Sequence, residues 1–202
     1  MILFPEKGLY AITSNNDSLN DVKTVLQAGT VILQYREKIK PDPDHTKKLK
    51  KLCTDFKVTL IINDKPQLAK EVKADGVHLG EEDGSYDETR QLLGDKAIIG
   101  ISCYDSLDLA IEAERQGANY IAFGSFFPSK TKHNIRRPDL DLLKQAREKL
   151  SIPIVAIGGI TPENGRPLVE AGADFIAAIH GVFGQEDPGA AAKKYAALFE
   201  LD

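Results

Sequence analysis

Residues 152–164 read IPIVAIGGITPEN, and this stretch decides the fold. Its core, PIVAI, is apolar throughout instead of alternating, so the strand it forms must be buried on both faces. Strands of a parallel sheet covered by helices are in that situation. Two glycines end the strand. Thr161-Pro162-Glu163 then supplies a helix start, with proline where its missing N–H costs nothing.

Working outward, the same strand–turn–helix unit recurs. Short β-branched or apolar runs fall at 8–13, 30–35, 58–63, 76–79, 97–102, 120–124, 152–157 and 174–179. Helix punctuation lies between them. Asp17 or Ser18 can cap a helix through Leu26 that Gly29 ends, and Ser106 can cap LDLAIEAERQ, which stops at Gly117. PDLDLLKQAREKL follows Arg137 with Pro138 tolerated in its first turn, and an alanine-rich helix is expected at 190–198. The phrases QAGT, KADG, RQGANY and EAGAD precede the second, fourth, sixth and eighth runs, a weak quasi-repeat. Eight strands alternating with helices allow an open doubly wound sheet or a closed barrel. The first junction has no GxGxxG, which weakens the dinucleotide-binding open sheet, and the quasi-repeat favours the barrel. The expected fold is therefore a single-domain α/β protein, a (β/α)8 TIM barrel over residues 1–202. Its loops must be brief, because such barrels more often run to about 250 residues.

Composition narrows the function. The chain is 42% hydrophobic and 28% charged, with a net charge of -4 and both signs interspersed. That leaves no basic footprint for nucleic acid. No apolar stretch is long enough to span a bilayer, and residues 1–10 lack the basic segment and apolar run of a signal peptide. Cys53 and Cys103 form no CxxC pair, which argues against a disulfide scaffold or zinc site and fits reduced thiols in the cytoplasm.

In a (β/α)8 barrel the reactive groups sit where strands end. The second run ends in Gln34-Tyr35-Arg36-Glu37-Lys38. Alternation puts Gln34, Arg36 and Lys38 on one side, two cations and an amide suited to a phosphate; a charged strand end that merely meets water is the alternative. The third run delivers Asn63-Asp64, and the fourth leads through Glu82 to Asp83. Two carboxylates from neighbouring strands can hold a hard cation such as Mg2+, whereas helix N-capping is the plainer reading of either aspartate alone. Ser102 ends the fifth run as a hydrogen-bond donor with no His–Asp pairing to make it a nucleophile. Cys103 beside it reads as a small buried filler. After the sixth run, Ser125 to His133 combine hydroxyls with Lys130 and Lys132 in a loop long enough to be a lid, or else a basic surface loop. The seventh ends at Gly158-Gly159 and the eighth at Ile179-His180-Gly181; loops after these strands often bind phosphate.

The ordered segments GLYAIT (8–13), QYREK (34–38), ND (63–64), DGVHLGEED (75–83), GIS (100–102), GANYIAFGSFFPSKTK (117–132), IPIVAIGGITPEN (152–164) and GADFIAAIHGVFG (172–184) resemble the thiamine phosphate synthase family from end to end. The resemblance implies a (β/α)8-barrel transferase. Its reaction would condense 4-amino-2-methyl-5-(diphosphooxymethyl)pyrimidine with thiazole phosphate, through a pyrimidine-methyl cation and with Mg2+, to give thiamine phosphate and diphosphate. It implies that Gln34, Tyr35, Arg36, Glu37, Lys38, Asn63, Ser102 and Lys132 bind the pyrimidine diphosphate. Asp64 and Asp83 would hold Mg2+. Ser129, Lys130, Thr131, Gly159, Ile179 and His180 would hold the thiazole phosphate. The implied catalytic set is Arg36, Lys38, Lys132 and Ser102. Three positions depart from the commoner pattern: Tyr35 stands for Leu, Ser129 for Thr and His180 for Ser, the last leaving its side-chain role open. The alternatives are a thiazole tautomerase on the same barrel and a non-catalytic ligand-binding barrel. The charged rim argues against both, since a tautomerase has no diphosphate or metal to hold. The expected partners are these small molecules, with no nucleic acid or membrane; self-association is left open.

Overall fold

In the computed structural model, which describes residues 4–14, 17–81, 83–128 and 137–200, every apolar run becomes a strand. These are β1 (Gly8–Ile12), β2 (Thr30–Tyr35), β3 (Thr59–Asn63), β4 (Gly76–Leu79), β5 (Ile98–Tyr104), β6 (Tyr120–Gly124), β7 (Ile154–Ile157) and β8 (Phe175–Ala178). Each pairs in parallel with the next in sequence, and β8 pairs with β1, so the sheet closes into the expected barrel. Around it lie α1 (Leu19–Gln27), α2 (Pro43–Phe56), α3 (Pro66–Val72), α4 (Tyr86–Leu93), α5 (Leu107–Gln116), α6 (Leu140–Lys149), α7 (Pro162–Glu170), a short α8 (His180–Phe183) and α9 (Pro188–Ala196).

The helix punctuation is mostly as the sequence predicts. Ser18, not Asp17, caps α1 through a capping box with Asp21, while Asp17 binds Ser14. Ser106 caps α5, and Gly117 closes it at φ 97°, a left-handed turn that glycine adopts without strain. α6 starts later than its sequence pattern, under an Asp139 cap that leaves Pro138 outside. α9 starts at Pro188 under Asp187, and its last turn tightens into a 3-10 helix over Ala197–Phe199.

Strand alternation divides the core in two. Outward residues such as Leu9, Leu33, Leu60, Ile62, Ile99, Phe123 and Ile176 meet the helices. Inward residues Tyr10, Ile12, Ile32, Ile61, Tyr120, Val155 and Phe175 fill the lumen. Phe4, ahead of β1, stacks on Tyr120 with centroids 5.3 Å apart and meets Phe175 edge-on at 5.4 Å, which fills the N-terminal end. Gly100 has no alternative in this lumen, because a Cβ there would lie 2.0 Å from Cζ of Tyr120.

The quasi-repeat has a physical basis. Asp75 accepts from the Leu60 amide at 2.8 Å and from Lys50 at 2.6 Å. Asn119 accepts from the Ile99 amide at 2.8 Å and from Arg90 at 3.1 Å. Asp174 accepts from the Ile154 amide at 2.8 Å and from Arg147 at 2.9 Å. In each case an oxygen just ahead of an even strand clamps the start of the preceding odd strand and recruits a cation. In the first quarter Thr30 stands at this place, and its hydroxyl donates to the Val25 carbonyl instead.

Candidate active site at the C-terminal mouth

Because all eight strands are parallel, their C-terminal ends share one mouth. At the end of β2, Gln34 points inward, is 3% exposed, and donates through Nε2 to the Tyr10 hydroxyl at 2.8 Å. Tyr35 points the other way, into the helix layer, where its hydroxyl accepts from the Asp42 amide at 3.2 Å. Only the backbone of Tyr35 is at the rim. Arg36 is half-buried beside it, with its amide held by the Thr13 hydroxyl at 3.0 Å. The Glu37 carboxylate accepts from the amides of Ile39 and Lys40, so it shapes its own loop. Lys38 lies near enough to Asp64 for its charge to act on that carboxyl.

Asp64 follows Asn63 at the end of β3 with φ 59°, a left-handed conformation that Asp tolerates better than most side chains. Its amide donates to the His78 carbonyl on β4 at 2.9 Å, which ties this turn to the neighbouring strand. Asp83, beyond β4, is held by its own turn: Oδ2 accepts from the Gly80 amide at 2.8 Å. Neither aspartate caps a helix. Lys65 precedes α3 without a side-chain cap, and Ser85 caps α4. The two carboxyls instead come close enough for Asp83 to act directly on Asp64. Burial first, and the Asp83 carboxylate second, push Asp64 up to about 6, while Lys38 and Asn63 pull the other way. Two carboxyls this close need a proton or a cation between them. Among the described residues there is no group of three or more His, Cys, Asp or Glu suited to a metal. A pair of carboxylates is nevertheless a donor set that suits Mg2+, which keeps water and substrate phosphate oxygens in the rest of its shell.

Ser102 faces the lumen on β5, and its Oγ lies 2.9 Å from Nε2 of His78. Nδ1 of His78 lies 3.0 Å from the Tyr120 hydroxyl, which lies 2.8 Å from that of Tyr10. Sequence reading passed over Tyr10, His78 and Tyr120. Their one signal is a polar group on the inward phase of an otherwise apolar strand. Burial lowers the His78 pKa to about 4 and raises those of Tyr10 and Tyr120.

Across the mouth, Gly158 and Gly159 have φ 103° and 64°. The amides of Phe126 and Phe127 donate to the carbonyls of Ile157 and Gly158 at 3.1 and 2.9 Å, docking the start of the following loop on the end of β7. A Cβ on Gly159 would meet the Pro128 carbonyl at 2.7 Å. The rest of that loop, with Ser129, Lys130, Thr131 and Lys132, lies outside the described residues. The Ile179 carbonyl opens α8 by accepting from Val182 and Phe183. His180 is exposed, and its ring lies against Gly184.

The family model for thiamine monophosphate synthase matches residues 9–182. A thiamine-phosphate synthase of Methylococcus capsulatus is 47% identical over 97% of this chain and 91% of its own length. One from an Azoarcus species is 48% identical over 96% and 97%. The solved structure of a thiamine phosphate pyrophosphorylase from Pyrococcus furiosus superposes with a TM-score of 0.87 at 34% identity, covering 96% of this chain and 95% of that one. Such identities across nearly the whole length, on one closed barrel, make this chain a member of the thiamine monophosphate synthase family.

Proposed function

We infer that the chain transfers the methylene of a pyrimidine diphosphate to the ring nitrogen of thiazole phosphate. The C–O bond to diphosphate breaks and takes its electron pair with the leaving group. The nitrogen lone pair forms the new C–N bond, and the products are thiamine phosphate and diphosphate. The observation that carries this reading is the Asp64–Asp83 carboxyl pair within reach of the Lys38 charge, at the mouth of a barrel of this family.

The assignment of residues rests on the family resemblance, supported where a described side chain stands at the mouth. Asp64 and Asp83 would hold Mg2+, and the bound ion would supply charge stabilisation to the diphosphate. Arg36 and Lys38 leave β2 beside this pair and are assigned to the diphosphate oxygens, with Lys132 from the loop after β6. Gln34, Asn63 and Ser102 are assigned to the pyrimidine portion. Glu37 and Tyr35 contribute the shape of the loop and its backbone. Gly159 and the backbone around Ile179 and His180 are assigned to the thiazole phosphate, with Ser129, Lys130 and Thr131. No nucleophile from the protein is required, so the chain's part is to bind, orient and neutralise.

Residues 1–202 are taken as one such barrel. The two cysteines, Cys53 and Cys103, are buried and free, which supports a reducing compartment, the cytoplasm. Among the described residues no helix is long and apolar enough to cross a membrane. The deciding experiment incubates the protein with both substrates and Mg2+ and follows thiamine phosphate and diphosphate, with an EDTA arm. Stoichiometric appearance of both products, abolished by EDTA, is the expected result; no product under any metal condition would refute the reading.

A further inference from the structure

Five side chains on five strands form one hydrogen-bonded chain across the lumen: Gln34 on β2, Tyr10 on β1, Tyr120 on β6, His78 on β4 and Ser102 on β5. Its links measure 2.8, 2.8, 3.0 and 2.9 Å in that order. Both ends are residues assigned above to the pyrimidine diphosphate. The three middle members are buried beneath them, and His78 also stacks on Tyr120 with centroids 5.6 Å apart.

A hydroxyl has one hydrogen, so such a chain has a direction. Gln34 donates through Nε2 to Tyr10. With every hydroxyl hydrogen spent inside the chain, that start would send the Tyr10 hydrogen to Tyr120 and the Tyr120 hydrogen to Nδ1 of His78. A neutral ring whose Nδ1 accepts would carry its proton on Nε2 and donate it to Ser102. The amide oxygen of Gln34 and the hydroxyl hydrogen of Ser102 are the two groups left over. They are an acceptor and a donor, and reversing any link would reverse the rest.

We propose that Tyr10, Tyr120 and His78 are positioning residues that act through Gln34 and Ser102, fixing an acceptor at the first and a donor at the second before substrate arrives. This rests on the functional reading above. An aminopyrimidine offers an exocyclic N–H that matches the Gln34 oxygen, and ring nitrogens that match the Ser102 hydrogen. The coupling makes the two contacts one device: a cut in the middle disturbs both ends.

The test begins with the unliganded protein, so its outcome does not depend on whether the reaction has been identified correctly. Long-range 1H–15N correlation spectra of histidine-labelled protein report which ring nitrogen of His78 carries the proton, with the signal assigned by its loss in His78→Gln. The expected result is the Nε2–H tautomer near neutral pH, and its replacement by a mixture in Tyr120→Phe. In that variant kcat/KM for the pyrimidine diphosphate is expected to fall roughly tenfold, with KM for thiazole phosphate and the Mg2+ dependence unchanged. An Nδ1–H or doubly protonated His78 in the unsubstituted protein would overturn the proposal. So would a Tyr120→Phe protein with unaltered tautomer and kinetics. Should that variant fail to fold, the spectrum of the unsubstituted protein still decides.

Discussion

Asp64 leaves β3 and Asp83 lies beyond β4, yet their carboxyl groups come together closely enough for one to act on the other. Each turn has its own anchor. Asp64 is pinned by its amide to His78, and Asp83 by its carboxylate to Gly80. A pair of like groups fixed this way favours whatever positive charge comes between them.

Asp64→Asn keeps the size and loses the charge. We expect Mg2+-dependent turnover to drop by about two orders of magnitude or more, the scale seen when one electrostatic partner of a transition state is removed. The barrel should persist, because no helix depends on Asp64 for its cap. Steady-state kinetics with a Mg2+ titration, beside far-UV circular dichroism, measures both; normal turnover would take the metal role away from Asp64.

Gly159→Ala should harm the site through its scaffold. The position has φ 64°, and the added methyl would meet the Pro128 carbonyl. The left-handed backbone alone costs roughly 1–2 kcal/mol for an alanine. Displacing the start of the loop after β6 is expected to lower kcat/KM for thiazole phosphate by about tenfold or more. Thermal unfolding and kinetics on the same preparation separate the two effects.

The clamps at the opposite end should respond to chemistry rather than to identity. Asn119→Ala leaves the Ile99 amide without its acceptor and removes one of several from Arg90, and is expected to destabilise by roughly 2 kcal/mol. Asn119→Asp keeps an acceptor for both and matches Asp75 and Asp174, so a change within about 0.5 kcal/mol is expected. Urea denaturation of the two variants is the measurement, and equal losses would mean that the oxygen is not what matters.

His78 should make the fold acid-sensitive. Burial lowers its pKa from 6.5 to about 4. Between those values the unfolded chain takes up a proton that the folded chain refuses, so stability is complete above the unfolded value and drains away as pH falls toward the folded one. Linkage gives a loss of about 2 kcal/mol by pH ~5 from His78 alone, and the raised Asp64 carboxyl offsets part of it over the same range in both proteins. Urea midpoints compared in metal-free buffer near pH 7.5 and pH 5 should show it, and His78→Gln should flatten the difference; a parallel decline in both proteins would exclude His78 as its source.

Most of the architecture was legible because strand burial on both faces leaves an unmistakable apolar run, and because helix starts and stops use few residue types. The edges slipped where local chemistry competed. Pro138 fits a first turn, yet Asp139 can cap and takes the start of α6. The four residues of α8 are too few to give a periodic signal. Of the site, the pattern of charges at strand ends was readable one strand at a time. What no single strand could disclose was pairing across strands. Asp64 and Asp83 looked individually like caps, and Glu37 and Tyr35 looked like ligands until their side chains were seen to serve the loop and the helix layer. Tyr10, His78 and Tyr120 were hidden for the same reason, since each sits in its own apolar strand and is joined to the others only through the lumen.

Phe4 gives the barrel a floor. With its ring set against Tyr120 and Phe175, it completes the packing of a lumen already filled by side chains, so no passage runs along the barrel axis. Whatever forms at the open mouth must therefore depart by the same doorway its precursors used.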